Sequence, residues 1–218
     1  MQLYWTPASP FTRKVCVVAR ELGLWEQIEV LPTTWTLDWG YRTPAFTAGL
    51  AEANPVARIP TLVTDDGIAI GDSTLICLHL LERTQDHLLL PESSVARQRM
   101  WSTYGVADGV LEAQIAMRAE LLRHPQLEAE ATLSRSFLEK QRDRIRRCLD
   151  ALEVDEGLQY PGFNLAQITT AIALSYQDWR EWLFDFRQDH PRLAYWYERV
   201  RTRPSLVATA PQETPTHE

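Results

Sequence analysis

The amino-acid sequence predicts an α/β domain followed by an all-helical domain. Strand-like and helix-like segments alternate over roughly the first eighty residues, and no strand-like alternation follows Glu82. Strands first and helices afterwards are typical of two separately packed domains. The chain has 218 residues, of which 45% are hydrophobic and 23% charged, so it can form sizeable cores.

The first βαβ unit follows from residues 1–31. Residues 3–5 are apolar and predict a strand, and the prolines in residues 6–10 predict a turn. Residues 11–22 carry apolar side chains at helical spacing, and Gly23 ends the predicted helix. A second strand is predicted at residues 28–31.

A hairpin and a helix complete the predicted α/β domain. Residues 61–63 and 68–70 flank Asp66-Gly67, a dipeptide that favours a tight turn. Asp72 or Ser73 is the expected N-cap of the apolar helix that follows. Residues 32–53 show no clear pattern.

The second half predicts helices only. Helices are expected at 94–124, 127–153, 163–179 and about 191–203, and the polar tail is expected to fray. Asn164 and Gln167 have the spacing of a capping box. The predicted domains are therefore residues 1–83 and 94–218, joined by a linker at 84–93.

Composition argues against several classes of partner. The net charge of −7 disfavours nucleic acid, since binding phosphates needs a basic face. No apolar run reaches the ~18 residues of a membrane span, and the N-terminus lacks the pattern of a secretory signal. Three cysteines without metal-ligand spacing predict no metal site and fit a reducing compartment, so we expect a cytoplasmic protein.

A serine lies between two prolines in "TPASPFTRK", directly before the helix predicted at 11–22. A hydroxyl in this place caps the helix or donates a hydrogen bond to a bound anion, because free N–H groups and the helix dipole favour negative charge there. Both interpretations of Ser9 stay open on these residues alone. Arg13 and Lys14, which follow, receive no assigned role.

The stretch "ANPVARIPTLVTDDGIAIGDS" resembles the glutathione transferase family, in which N-P-x-x-[KR]-[VI]-P-x-L precedes a hairpin and an acidic residue with serine at a helix start. The matching residues are Asn54, Pro55, Arg58, Ile59, Pro60, Leu62, Asp72 and Ser73. "SPFTRKV" is similar to the first loop of small bacterial members, and "NLAQITTAIALSYQDWR" to a buried helix of the second domain. The resemblance spans nearly the whole chain and implies a thioredoxin-like N-terminal domain with an all-α C-terminal domain, the glutathione transferase fold.

The same resemblance implies that glutathione is the co-substrate. The Ile59–Pro60 peptide bond is expected to be cis, with the Ile59 backbone facing the cysteinyl part of the tripeptide. Asp72 is expected to meet the ligand's ammonium group and Ser73 its γ-glutamyl carboxylate. The expected glutathione-binding residues are Ile59, Pro60, Asp72, Ser73, Arg58 and Phe11.

Ser9 becomes the expected catalytic residue under this resemblance. A free thiol has a pKa of ~8.5, so a hydroxyl that donates to the sulfur beside a helix N-terminus would favour the thiolate. Tyr4 and Thr6 remain alternative activators. No cysteine stands at position 9, which disfavours thiol–disulfide chemistry, and Cys16 and Cys77 are expected to be inert core residues.

The resemblance also implies an electrophile pocket and a homodimer. Trp101, Tyr104 and Asp108 share one face of the first long helix and are candidates for the pocket, although packing against the first domain would explain that face equally well. Arg97 and Arg99 are candidate polar contacts of the dimer.

Two functions compete. The first is an enzyme that conjugates glutathione to a small electrophile. The second is a glutathione-binding or protein-interaction module without turnover on the same fold, because one fold hosts many functions.

Overall fold

The computed structural model describes residues 1–33, 44–84, 89–127 and 133–213, and for residues 44–48 and 122–127 it describes the backbone alone. The chain divides into two compact units. The first comprises Met1–His87 with Pro204–Glu218, and the second comprises Leu88–Arg203.

The first unit is built on a mixed four-stranded sheet with strand order β2-β1-β3-β4. β1 is parallel to β2 and antiparallel to β3, and β3 is antiparallel to β4. Its elements are β1 (Gln2–Trp5), α1 (Pro10–Glu21), a 3-10 turn (Trp25–Gln27), β2 (Glu29–Pro32), α2 (Pro44–Ala53), β3 (Thr61–Val63), β4 (Ala69–Gly71) and α3 (Ser73–Glu82).

Helices α1 and α3 contact each other within this unit. Pro10 at the first position of α1 costs no hydrogen bond, because the first N–H groups of a helix have no partner inside it. The core includes the fully buried side chains of Leu3, Val15, Leu62 and Ile76. Every residue of α1 from Thr12 to Ala19 is buried, which is more than the one-sided burial that the apolar spacing predicts.

The second unit is helical throughout its described residues. Its elements are α4 (Ser94–Leu127), α5 (Arg135–Glu153), a 3-10 turn (Glu156–Gln159), α6 (Leu165–Trp179) and α7 (Pro191–Val200). α4 contacts both α5 and α6, and α7 contacts α5 and α6. The core contains Leu111, Ile145 and Ile172, all fully buried. The capping box that Asn164 and Gln167 predict is present at the start of α6.

Two predicted helix ends, in α4 and α5, differ clearly from the observed ones, and helix α2 was not predicted. α4 continues to Leu127, although His124-Pro125 was expected to end it. α5 begins at Arg135 rather than near residue 127, because the Ser134 hydroxyl accepts a hydrogen bond from the Phe137 N–H and caps it there. α2 lies in the stretch where the sequence shows no clear pattern. Its apolar and small residues make the helix only weakly amphipathic, so the periodic signal is weak.

The C-terminal end is the largest departure from the predicted organisation. α7 ends at Val200, and the short helix α8 (Pro204–Val207) begins at a proline, whose missing N–H is harmless in a first turn. α8 contacts α1 and belongs to the first unit, whereas the sequence places residues 94–218 together in one helical domain. The expected fraying of the tail does not describe Gln212, whose N–H reaches the Pro7 carbonyl; residues 214–218 lie outside the described residues.

Candidate functional site

The residues that the sequence singles out in the first unit lie at one edge of the sheet. Tyr4 pairs with Thr61, and Thr61 pairs with Gly71, so these three residues form one row across β1, β3 and β4. β4 ends at this row, β1 ends one residue beyond it at Trp5, and the antiparallel β3 begins at it. The turn after β1, the segment before β3 and the start of α3 therefore emerge at the same edge.

Ser9 is the N-cap of α1. Its Oγ accepts a hydrogen bond from the Thr12 N–H at 3.2 Å, and its carbonyl accepts one from the Arg13 N–H at 3.0 Å. The capping bond uses a lone pair of Oγ, so the hydroxyl proton remains able to donate to another group. The side chain is half-exposed. Capping and donation to a ligand are thus compatible at this residue.

Of the two alternative activators, Tyr4 uses its hydroxyl in a bond within the fold and Thr6 is buried. The Tyr4 hydroxyl donates a hydrogen bond of 3.0 Å to the Gly49 carbonyl of α2. Thr6 is buried, and its carbonyl accepts a hydrogen bond from the Ser9 N–H at 3.3 Å, which closes the turn. Activation by the Tyr4 hydroxyl would require that hydroxyl to leave its bond to α2.

The segment before β3 carries the expected cis bond between Ile59 and Pro60. Its shape is held by a buried network at Thr61, whose hydroxyl donates to the Arg58 carbonyl at 2.7 Å and accepts from the Asn54 amide at 2.9 Å. Among the described residues, nothing pairs with the Ile59 N–H or C=O. This backbone is free to pair with a ligand as a neighbouring strand would.

Gly71 is required by the close approach of Asn54. A Cβ built on Gly71 would lie 2.6 Å from the Asn54 Nδ2, a distance at which something must shift. The Asn54 side chain is already committed, because its Oδ1 also accepts from the Val56 N–H at 3.0 Å. Any side chain at position 71 would therefore disturb the network that shapes residues 54–61.

Asp72, rather than Ser73, is the N-cap of α3. Its Oδ1 accepts hydrogen bonds from Thr74 N–H at 2.7 Å and Leu75 N–H at 3.3 Å, and Oδ2 is not part of this cap. Its φ of +77° is unusual for a residue with a side chain and costs of order 1–3 kcal/mol, a kind of strain that clusters at functional sites. Ser73 is buried at the first helical position, where its N–H has no partner inside the helix.

Phe11 and Arg58 flank this edge. Phe11 is half-buried at the start of α1, and the Lys14 Nζ lies 5.5 Å from its ring centroid. The Arg58 side chain is exposed, so it can meet a carboxylate only at the rim of a site.

The cysteines of the first unit are buried in the core, as expected. Cys16 is 2% exposed and Cys77 fully buried. Burial raises the pKa of the Cys16 thiol to about 12, against the smaller opposite effect of Arg20. A thiol that stays protonated is a poor nucleophile, so Cys16 is inert in the folded protein.

The residues predicted for the electrophile pocket lie on α4 of the second unit. The rings of Trp101 and Tyr104 meet edge to face, with centroids 5.5 Å apart, and Tyr104 is 7% exposed. Asp108 is half-buried one turn further on. A separate cavity of about 720 Å³ opens on this unit beside Arg99, Tyr160 and Arg192, and none of the three predicted residues lines it.

The candidate dimer contacts are exposed at the start of α4. The Arg97 Nε donates to the Pro91 carbonyl at 3.0 Å, which ties this side chain to its own chain, and Arg99 is exposed.

No helix in the part of the chain that the structure describes is long and apolar enough to cross a membrane. Within those same residues no cluster of three or more His, Cys, Asp or Glu side chains could hold a metal.

Two features of the site escape sequence reasoning. The Asn54–Thr61 network is invisible because a buried polar pair has no periodic signature, although Asn54 belongs to the matched motif. Arg13 was given no role, yet it is 7% exposed and its guanidinium bonds to the C-terminal segment. Its position four residues after Ser9 was the available signal, since it puts both on one face of α1.

Comparison with known proteins identifies the same family that the sequence motifs resemble. Residues 8–83 match the family model "Glutathione S-transferase, N-terminal domain". The uncharacterized GST-like protein YibF of Escherichia coli strain K12 is 30% identical over 215 residues, covering 97% of this chain and 98% of that protein.

Solved structures resemble the chain over nearly its whole length. A glutathione transferase family member from Pseudomonas fluorescens Pf-5 with bound glutathione is 33% identical with a TM-score of 0.84, covering 97% of this chain and 99% of the other. A glutathione S-transferase from Methylobacillus flagellatus KT, also with glutathione bound, is 29% identical with a TM-score of 0.82 over the same shares. The fold is a thioredoxin-like unit plus a helical unit.

Proposed function

Because the chain belongs to the glutathione S-transferase family, we propose that it binds glutathione at the sheet edge of its first unit and activates the thiol for attack on a small electrophile. The observation that carries this proposal is the convergence of three polar features at one edge: the half-exposed Ser9 hydroxyl, the unpaired Ile59 backbone and the open N-terminus of α3. Crystal structures of related family members with bound glutathione support it.

The donors and acceptors at this edge fit the tripeptide. The Ile59 N–H and C=O pair with the cysteinyl residue. The Ser73 N–H and hydroxyl hold the γ-glutamyl carboxylate, helped by the positive end of the α3 dipole. Asp72 offers its second carboxylate oxygen to the ligand's ammonium, while Pro60 fixes the segment and Phe11 and Arg58 border the site.

Ser9 favours the thiolate because its hydroxyl donates a hydrogen bond to the sulfur. A hydrogen bond to a charged group contributes ~1.5–3 kcal/mol, which would lower the thiol pKa from ~8.5 by about one to two units. The sulfur then attacks the electrophilic carbon, the C–S bond forms, and the displaced group leaves with the bonding electrons. In an addition or a ring opening no group is released, and the anion formed on the electrophile takes up a proton from water instead.

For the electrophile we propose a contact with α4, where the half-buried Trp101 offers aromatic surface and Asp108 a polar group, and where the buried Tyr104 packs against the Trp101 ring. Small aromatic or halogenated electrophiles suit such a surface.

The first experiment separates the enzyme from the non-catalytic module. Glutathione binding is measured by calorimetry, and turnover is measured with a panel of haloaromatic, epoxide and unsaturated carbonyl electrophiles. We expect saturable binding together with turnover of at least one compound above the uncatalysed rate. Binding without turnover of any compound would favour the module, and absence of binding would contradict the proposal.

We further propose that the chain forms a homodimer that joins the first unit of one copy to the long helices of the other, with Arg97 and Arg99 near the contact. Val56, Ile68 and Leu75 are all more than half exposed on the first unit and are therefore available for such a contact. Light scattering at micromolar concentration should give a dimer mass; a monomer would refute this.

A cytoplasmic location is inferred from the three unbridged cysteines.

A further inference from the structure

The C-terminal segment, residues 204–212, runs along α1 in the opposite direction. Ser205 Oγ donates to the Glu21 carboxylate at the end of the helix. Gln212 N–H reaches the Pro7 carbonyl, before the start of the helix, at 3.5 Å. Because α1 has 12 residues, the segment follows about 18 Å of helix.

Arg13 fastens the middle of this segment. Its Nη2 donates to the Leu206 carbonyl at 3.0 Å, and its Nε donates to the Thr209 hydroxyl at 3.3 Å. Thr209 in turn donates to the Ser205 carbonyl at 2.8 Å, which fixes the hydroxyl that receives Arg13. Arg13 as a whole is only 7% exposed, and burying its charged group without hydrogen bonds would be costly, so these bonds are important for holding the segment.

The contacts bracket Ser9 on both sides. Pro7, two residues before it, is held by Gln212, and Arg13, four residues after it, is held by Leu206 and Thr209. Ser9 is itself bonded to the same helical turn, since its carbonyl accepts the Arg13 N–H. Movement of the segment would therefore shift the turn that carries the Ser9 hydroxyl.

We propose that residues 204–212 form a C-terminal clamp that positions the Ser9 hydroxyl for thiol activation, with Arg13 as the positioning residue that holds the clamp. The proposal rests on the function proposed above and adds that part of the activation geometry comes from the far end of the chain. Arg13 acts through Ser9 and does not touch the glutathione. Small displacements matter because a misplacement of ~1 Å can cost about a hundred-fold in rate.

The main test is Arg13→Met in the full-length chain, which keeps a long side chain and removes the donors. We expect kcat to fall about ten-fold while KM for glutathione changes less than about three-fold. The ultraviolet absorbance of bound glutathione thiolate, titrated without electrophile, should show a thiol pKa higher by about half a unit to one unit. Amide exchange at Thr12 should accelerate in the ligand-free protein, since that N–H reports directly on the Ser9 cap.

The matched control is Arg20→Met. Arg20 lies about two turns further along the same helix and stacks on the Trp25 ring at 4.3 Å instead of holding the clamp. This variant should lose stability without moving the thiol titration. Arg13→Lys, which keeps a donor that can reach one acceptor, should recover part of the activity.

A second pair of variants changes the clamp without removing the buried Arg13 side chain, so it tests the proposal even if Arg13→Met does not fold. Gln212→Pro removes the N–H that meets Pro7, whereas Gln212→Ala keeps it. The proline variant should shift the titration in the same direction as Arg13→Met, and the alanine variant should leave it unchanged. The double variant Gln212→Pro/Arg13→Met should shift the thiol pKa by less than the sum of the two single shifts, because both changes release the same clamp.

The failures are distinguishable. If Ser9→Ala raises the thiol pKa but Arg13→Met and Gln212→Pro do not, the clamp is overturned and the proposed function stands. If Ser9→Ala leaves the titration unmoved, thiol activation by Ser9 is refuted and the clamp falls with it. Equal shifts from Arg13→Met and Arg20→Met would also overturn the clamp, since general loss of stability would then explain them.

Discussion

The N-termini of α1 and α6 are both capped by a polar side chain, but one cap is closed and the other is open. At α6, Asn164 is 2% exposed and its Oδ1 accepts from Ala166 N–H and Gln167 N–H, each at 3.1 Å. Gln167 completes the box by accepting from the Asn164 N–H at 2.8 Å and donating to the Leu158 and Tyr160 carbonyls. The cap of α6 is thus a closed structural network.

At α1 the cap is simpler and open. Ser9 accepts one hydrogen bond, from Thr12 N–H, and its half-exposed hydroxyl keeps a proton to donate. The N-terminus of α3 is similar, since Asp72 uses one carboxylate oxygen for capping and holds a strained φ. The difference teaches that a saturated cap holds a fold together, whereas a cap with a spare donor or acceptor can also serve a ligand.

The largest effect on stability is expected from breaking the closed cap. Asn164→Ala leaves two buried N–H groups without their acceptor and should cost about 2–4 kcal/mol of the free energy of unfolding. The thiol titration of bound glutathione should not move. Chemical denaturation measures the first quantity, and a loss below about 1 kcal/mol would show that the network is not what holds α6.

Gly71→Ala should come next, because the new Cβ meets Asn54 at 2.6 Å. Overpacking of this kind costs about 1–3 kcal/mol, and here it disturbs the segment that presents Ile59, so glutathione affinity should also fall. Calorimetry and a denaturation curve measure the two losses.

Gly105→Ala is the control, since Gly105 lies within α4 with nothing near the added Cβ. It should gain up to about 1 kcal/mol from helix propensity. Equal changes in stability and in glutathione affinity for Gly71→Ala and Gly105→Ala would contradict the role given to the Asn54 contact.

Asp72→Asn gives the smallest of the three effects. An asparagine keeps the capping oxygen and tolerates a positive φ, but it removes the charge proposed to meet the ligand's ammonium group. Stability should change by less than about 0.5 kcal/mol, while glutathione affinity falls about three- to ten-fold. An unchanged affinity would make Asp72 a structural cap like Asn164.

The sequence predicts the strands, α1, α3 and the capping box of α6, because each has a periodic or local signature. The cis bond between Ile59 and Pro60 was expected only from the matched motif, whereas the local pattern predicted Asp72 or Ser73 as the cap of α3 without choosing between them. The position of the C-terminal segment was not predictable, since Arg13, Leu206 and Thr209 are far apart in the chain and their contacts leave no periodic pattern. Whether the hydroxyl of Ser9 caps, donates or does both also depends on geometry that spacing does not contain.

The most direct test of the open cap is the pKa of the glutathione thiol bound to the wild-type protein and to Ser9→Ala, read from thiolate absorbance across pH. Ser134→Ala, which removes a half-exposed cap of α5, is the control and should leave the midpoint in place. If Ser9 donates to the sulfur, its loss should raise the midpoint by about one to two units toward ~8.5, with a stability loss of only ~0.5–2 kcal/mol. A loss of stability with an unmoved midpoint would show that Ser9, like Ser134, does no more than cap its helix.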